Sequence, residues 1–241
     1  MKEDKRTFIN RLFAAIAGRY DLFNRLVTLS ADRRWRQMTV EAAQVAPGMR
    51  VLDLCTGTGD LAFAAAARMR QGPQAAASSG EVVGVDLCEP MLRVAQDKAR
   101  VQQARIAWLF GDALALPFRD GVFGRVLVGF STRNLANLTL GLREMHRVLE
   151  PQGRLVILET GKPANPLVRA GYFLYLRTIV VLIGALLFCK AWPFTYLQRS
   201  IARFWEPHEF ARVLREIGFT QVSYRPLGGG IAALYVAVKP T

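Results

Sequence analysis

Three acids stand at or near the ends of apolar runs, and the first belongs to a small-residue turn, Asp53-Leu-Cys-Thr-Gly-Thr-Gly-Asp60. Val51 to Leu54 reads as a buried strand that stops at this turn, and a helix begins near Leu61. Gly57 and Gly59 let a ligand approach the backbone at a strand's carboxyl end, beside a helix N-terminus. The spacing is not G-x-G-x-x-G, because the third glycine is missing, and no Gly-Lys-Ser/Thr follows. The turn therefore suits a nucleotide-like ligand without a pyrophosphate, and S-adenosylmethionine (SAM) is such a ligand. An ordinary strand–turn–helix would present the same residues.

Asp86 closes a second apolar run, Val82 to Asp86, where an acid of a doubly wound sheet accepts hydrogen bonds from ribose hydroxyls. Capping the helix that starts near Glu89 is its plainer role. Asp112, with the amide of Ala113, suits the edge of an adenine, and a plain turn is the alternative. Gly129-Phe-Ser-Thr-Arg-Asn134 follows a fourth run. Arg133 and Asn134 there put polar groups where such sheets bind ligands, and an arginine suits a substrate oxygen or developing negative charge. His146 lies within a helical pattern and reads as a packing residue.

These residues need a sheet to hold them. Strands are expected at 50–54, 82–86, 106–110, 124–129, 154–159, 220–225 and 231–238. Helices are expected at 60–70, 89–103, 138–149 and 207–217, and residues 8–40 read as helical, with a new start near Ser30. This alternation predicts an α/β fold with a parallel sheet covered on both faces. Gln71 to Gly80 reads as a loop of small residues. Residues 163–205 break the alternation with an uncharged run, Thr178 to Cys189, bounded by Arg177 and Lys190. That run is shorter than the roughly 20 residues that span a bilayer. It is read as a buried core helix, a lid over an apolar substrate, or a helix resting in a membrane interface.

The chain has 241 residues, 51% of them hydrophobic, which suits one large domain with a substantial core. Its net charge of +13 points to an anionic partner surface, either nucleic acid or a membrane face. No basic–aromatic strip of the kind that holds single-stranded RNA is present, so nucleic acid is set aside. Three scattered cysteines and two histidines argue against a disulfide framework and a zinc site. No metal site is expected, and the compartment read from the cysteines is the cytoplasm.

Taken together, the runs resemble the class I SAM-dependent methyltransferases, and more closely the bacterial menaquinone/ubiquinone C-methyltransferase family. Tyr20-Asp-Leu-Phe-Asn24, Trp35-Arg36, the 53–60 turn, Asp86 with Met91-Leu92, Gly111-Asp-Ala113, Arg133-Asn134, Glu144 to Leu149 and Gly153 to Thr160 carry the likeness, over nearly the whole chain. The resemblance implies a Rossmann-like, seven-stranded sheet with its last strand antiparallel. It implies one domain over 1–241: N-terminal helices over 1–45, a SAM-binding core over 46–162, an apolar helical cap over 163–205, and the end of the core over 206–241. SAM contacts are expected at Asp53, Gly57, Thr58, Gly59, Asp86, Asp112 and Ala113. Arg133, Asn134 and Tyr20 are the candidates for acting on a prenylated quinol ring. Demethylmenaquinol is preferred over the ubiquinone precursor, because the Glu-Met-His-Arg and Leu-Glu-Thr wording is similar to menaquinone-type members. The substrate's isoprenoid tail, the cap and the positive charge together suggest peripheral docking on the inner face of an anionic membrane. A homo-oligomer is left open. Rival readings are a methyltransferase of another small molecule or RNA, and a non-catalytic SAM-binding subunit. This chain departs from the family at Ser131-Thr132, where many members have Gly-Leu, and at Gly129, where some have a serine that contacts SAM.

Overall fold

The computed structural model describes residues 4–71 and 80–241, so most of the expected 71–80 loop lies outside the described residues. The helical stretch expected over 8–40 is three helices: α1 (Lys5–Ala14), α2 (Tyr20–Thr28) and α3 (Ala31–Ala42). Leu29 and Ser30 break the last two apart with φ of 51° and 63°, a left-handed kink that no continuous apolar stripe announces. Ser30 does precede α3, but its side chain makes no capping hydrogen bond.

The alternation then runs β1 (Arg50–Leu54), α4 (Asp60–Met69), β2 (Glu81–Asp86), α5 (Glu89–Gln102), β3 (Ala107–Phe110), β4 (Phe123–Gly129), α6 (Leu138–Val148) and β5 (Leu149–Thr160). β5 starts five residues earlier than expected, and its pairing with β4 slips between Phe123 and Arg125. The interruption is α7 (Pro166–Tyr175), a π turn at Leu176–Val180, α8 (Val181–Phe188) and α9 (Trp192–Arg203). α10 (Pro207–Ile217), β6 (Thr220–Leu227) and β7 (Ala232–Val238) complete the chain.

The seven strands lie in the order β3-β2-β1-β4-β5-β7-β6, and β7 runs antiparallel to both β5 and β6, as expected. One face packs against α6 and α10 through Leu142, Met145, Phe210 and Leu214; the other packs against α3 and α4 through Trp35, Val40, Leu61 and Ala65. His146 packs edge-on to Phe219, with ring centroids 4.9 Å apart, which agrees with its reading as a packing residue. The chain leaves β1 toward β2 on one side and reaches β4 on the other. That switch point opens a crevice at the strands' carboxyl ends.

A third apolar cluster roofs this crevice. Leu12, Ile16 and Phe23 from the first two helices meet Leu176, Val180, Phe194 and Ile201 from the late insertion. Gly184 allows the closest approach, because a Cβ there would lie 2.1 Å from the Phe194 ring. All of the run Thr178–Cys189 but its last residue belongs to a longer helical stretch, Pro166–Phe188, 23 residues whose most apolar window has mean hydropathy 2.0. By length and composition this stretch matches a bilayer span. Only 17% of its most apolar window is buried, so it is not a core helix.

Candidate functional site

The glycine turn is braced from beneath. Asp53 is buried, and its Oδ2 accepts from the Thr56 hydroxyl at 2.5 Å and the Ala62 amide at 2.9 Å. Burial pushes its carboxyl up to about 7, against the pull of those two donors. Asp86 ties the turn to β2: its Oδ2 accepts from the Gly57 amide at 2.7 Å and its Oδ1 from the Cys88 amide at 2.8 Å. Burial raises this carboxyl too, with the amides opposing. Gly57 and Gly59 take φ of 56° and 84°. A Cβ on Gly57 would meet nothing within 4 Å, so the turn is open on that side. Gly59 instead packs on Trp108, where a Cβ would lie 2.5 Å from the indole.

Asp53, Gly57, Thr58, Asp86, Asp112 and Ala113 therefore line one cavity, and Gly59 supports it without lining it. Asp112 Oδ1 accepts from the Leu114 amide at 3.0 Å, and its Oδ2 pairs with Arg6 at 3.2 Å. Arg6 belongs to α1, which crosses the cavity mouth. Lys5 donates to the Leu135 carbonyl at 2.6 Å, and Asn10 donates to the Leu87 carbonyl at 2.8 Å. α2 is fastened as well. The Thr58 hydroxyl donates to Asp21 at 2.5 Å, and Lys98 bridges Asp21, at 2.8 Å, and Asp60. The Thr58 hydroxyl thus holds a helix.

A second, apolar cavity adjoins the first. Phe13, Tyr20, Arg36 and Asn134 line both. Its other walls include Phe23, Trp35, Phe130, Tyr172, Leu176 and Phe194. Burial raises the Tyr20 phenol, with a hydrogen bond to Asn24 and the charges of Arg36 and Arg133 opposing. Arg133 faces only the apolar cavity of these two. Its Nη1 donates to Glu159 Oε1 at 2.6 Å and to the Phe130 carbonyl at 2.5 Å. Glu159 is fully buried and also accepts from Thr132 Oγ1 at 2.7 Å and the Thr160 amide at 2.7 Å. The Ser131-Thr132 departure thus supplies a hydroxyl to this carboxylate. Asn134 Oδ1 accepts from the Tyr196 hydroxyl at 3.2 Å. Two buried donors here have no partner among the described residues: Arg133 Nε and Asn134 Nδ2. Such donors are costly unless a ligand uses them.

The site also contains Glu159, Arg36, Asp21, Lys98 and Tyr196, none of which the sequence singled out as functional. Asp21, Arg36 and Glu159 lay inside motifs, but nothing in their spacing said what each would bond or face.

A profile of the ubiE/COQ5 methyltransferase family matches residues 1–239. The chain belongs to the ubiE/COQ5 methyltransferase family. Among its relatives, the demethylmenaquinone methyltransferase of Deinococcus radiodurans is 42% identical over 99% of this chain and 95% of its own. The Thermus thermophilus protein of the same name is 39% identical over 95% of this chain and 100% of its own. The ubiquinone/menaquinone biosynthesis C-methyltransferase of Geotalea uraniireducens is 37% identical, over 98% of each chain. Among solved structures, a SAM-dependent methyltransferase of Aquifex aeolicus superposes with a TM-score of 0.61 at 18% identity, over 84% of this chain and 88% of its own. A [4+2]-cyclase superposes with a TM-score of 0.64 at 18% identity, over 87% and 81%. These two show the fold alone. As a ubiE/COQ5 methyltransferase the chain is a SAM-dependent enzyme, and its first cavity suits that cofactor. The turn is open at Gly57, acids stand at the ends of two neighbouring strands, and no lysine sits in the turn to pair with a phosphate.

Proposed function

We propose that the chain methylates a ring carbon of a prenylated quinol, demethylmenaquinol above the ubiquinone precursor, in respiratory quinone synthesis. One observation carries this reading: a cavity at the glycine turn, the more polar of the two, adjoins an apolar one across a shared wall of Phe13, Tyr20, Arg36 and Asn134. The relatives' names support the quinone.

In this reading Asp86 accepts from the ribose hydroxyls, and Asp112 with the Ala113 amide meets the adenine. Gly57 and Thr58 offer backbone, while Asp53 and Gly59 keep the turn in shape. Bound there, SAM supplies a sulfonium methyl, which passes to the ring carbon while the S–C electrons stay on sulfur and the ring hydrogen leaves as a proton. The chain's own part is alignment and charge stabilisation. Arg133 Nε and Asn134 Nδ2 donate to the ring oxygens, Glu159 fixes the guanidinium, and Tyr20 closes the site from α2. The apolar walls exclude water and take the start of the isoprenoid tail.

The exposed Pro166–Phe188 stretch rests on the membrane that holds such a substrate. Leu167, Val168, Leu174, Leu182 and Leu186 are solvent-exposed, and α2 adds Leu22 and Leu26, with Leu29 just past its end. Arg177 and Lys190 stand on and just past this stretch, in a chain of net charge +13, which suits anionic lipid. The reading also takes the chain as one domain with its work on the cytoplasmic side. Expression in a bacterium lacking its own quinone C-methyltransferase tests the function. The demethylated naphthoquinone disappears and the methylated one returns if the reading holds; unchanged quinone profiles contradict it.

A further inference from the structure

Two arginines, each paired with a buried carboxylate, face the apolar cavity, and they meet at Phe130. Arg133 reaches the Phe130 carbonyl at 2.5 Å, while the Arg36 guanidinium lies 5.8 Å from the centre of the Phe130 ring. Phe130 itself is held with φ of 56°, a conformation uncommon for a bulky residue, and its amide donates to the Leu158 carbonyl at 2.6 Å. That kink turns its ring and its carbonyl to different arginines.

The Arg36 pair is built as firmly as the Arg133 pair. Asp32 is buried and takes Arg36 Nη1 at 2.5 Å, and the Thr28 hydroxyl donates to the other Asp32 oxygen at 2.9 Å. The Arg36 side chain is 11% exposed. Among the described residues it makes no hydrogen bond other than that to Asp32, although a guanidinium has five N–H groups. A guanidinium so enclosed, with donors to spare, suits an anionic or strongly polar oxygen. The two arginines also differ in place. Arg36 lines the cofactor cavity as well as the apolar one, whereas Arg133 does not.

A 1,4-dihydroxy ring carries oxygens on opposite edges, so one guanidinium cannot serve both. The carbon that takes the methyl must sit at the junction of the cavities, and so must the oxygen next to it. We propose that Arg36 is a catalytic residue that donates to the ring oxygen adjacent to the methyl-accepting carbon, while Arg133 holds the oxygen across the ring. The inference rests on the quinol reading above. It assigns Arg36 the stabilisation of the phenolate formed when that hydroxyl gives its proton to water. The cavity then selects para-diols by gripping both ends.

The test compares Arg36→Gln, Arg36→Lys and Arg133→Gln on the demethylated quinol and on an analogue lacking the hydroxyl across the ring. Wild-type turnover of the quinol is the control for the quinol reading itself. Given that turnover, Arg36→Gln lowers kcat by about 100-fold or more on both acceptors. It also moves the ascending limb of the pH–rate profile up by about 1 unit or more. Arg133→Gln loses rate on the diol but little on the analogue. Arg36→Lys, which keeps a cation beside Asp32, still drops kcat by about 10-fold with SAM affinity unchanged by calorimetry. This variant decides the matter if Arg36→Gln does not fold. Wild-type kcat in Arg36→Lys, an unmoved pH limb in a folded Arg36→Gln, or loss of SAM affinity in place of kcat would overturn the proposal.

Discussion

Asp53 is the residue whose chemistry is most exposed to solution conditions. Its folded carboxyl titrates at about 7, raised by burial from an ordinary value near 4. Between those values the native state binds a proton that the unfolded state has released, so stability falls as pH rises through the window. Asp53→Asn removes that proton. Its stability relative to wild type therefore climbs between pH 4 and 7, by at most about 4 kcal/mol for a 3-unit shift. Urea midpoints of both proteins across that range check the sign, and a constant difference contradicts it. Arg133 carries a second prediction. Removing it strands the fully buried Glu159, so Arg133→Ala costs about 3–5 kcal/mol of stability as well as turnover. Thermal melts of Arg133→Ala beside Arg133→Ala/Glu159→Gln separate the two effects, because the double variant regains stability and not activity. Asp86 and Asp112 were legible from the sequence because each ends or follows an apolar run. Glu159, Asp21 and Lys98 were not, because their partners lie 26, 37 and 77 residues away and no local pattern marks such pairs.

At the scale of elements, the strands and core helices could be read from period and punctuation, since each buries one face against the sheet. The helical roof was harder. α1, α2 and the late insertion bury apolar residues against one another and against a cavity, so periodicity named the helices without saying what they cover. The left-handed pair at Leu29 and Ser30 and the π turn at Leu176–Val180 leave no signal in hydropathy. The insertion reads as uncharged only from Thr178, yet its helix begins at Pro166, where the Asn165 side chain caps the Leu167 and Val168 amides. Its exposed leucines carry the membrane prediction. The chain sediments with vesicles containing phosphatidylserine, less so at high salt. Leu182→Glu/Leu186→Glu abolishes this without changing SAM affinity. Sedimentation that survives the double substitution contradicts docking through this helix.

At the scale of the whole molecule, the sheet order and the antiparallel last strand put the switch point between β1 and β4. The glycine turn, Asp86 and Arg133 all gather at that end. That architecture does not choose the reaction, since a [4+2]-cyclase shares it; the side chains around the two cavities do. The central claim is that one cavity delivers a methyl into the other, onto a quinol ring. The most direct measurement incubates the purified chain with reduced demethylmenaquinone and SAM carrying a deuterated methyl, and follows the product by mass spectrometry. The account predicts a menaquinol that holds all three deuteriums on a ring carbon, formed together with S-adenosylhomocysteine. Label recovered on oxygen, or none transferred by a chain that still binds SAM, would contradict it.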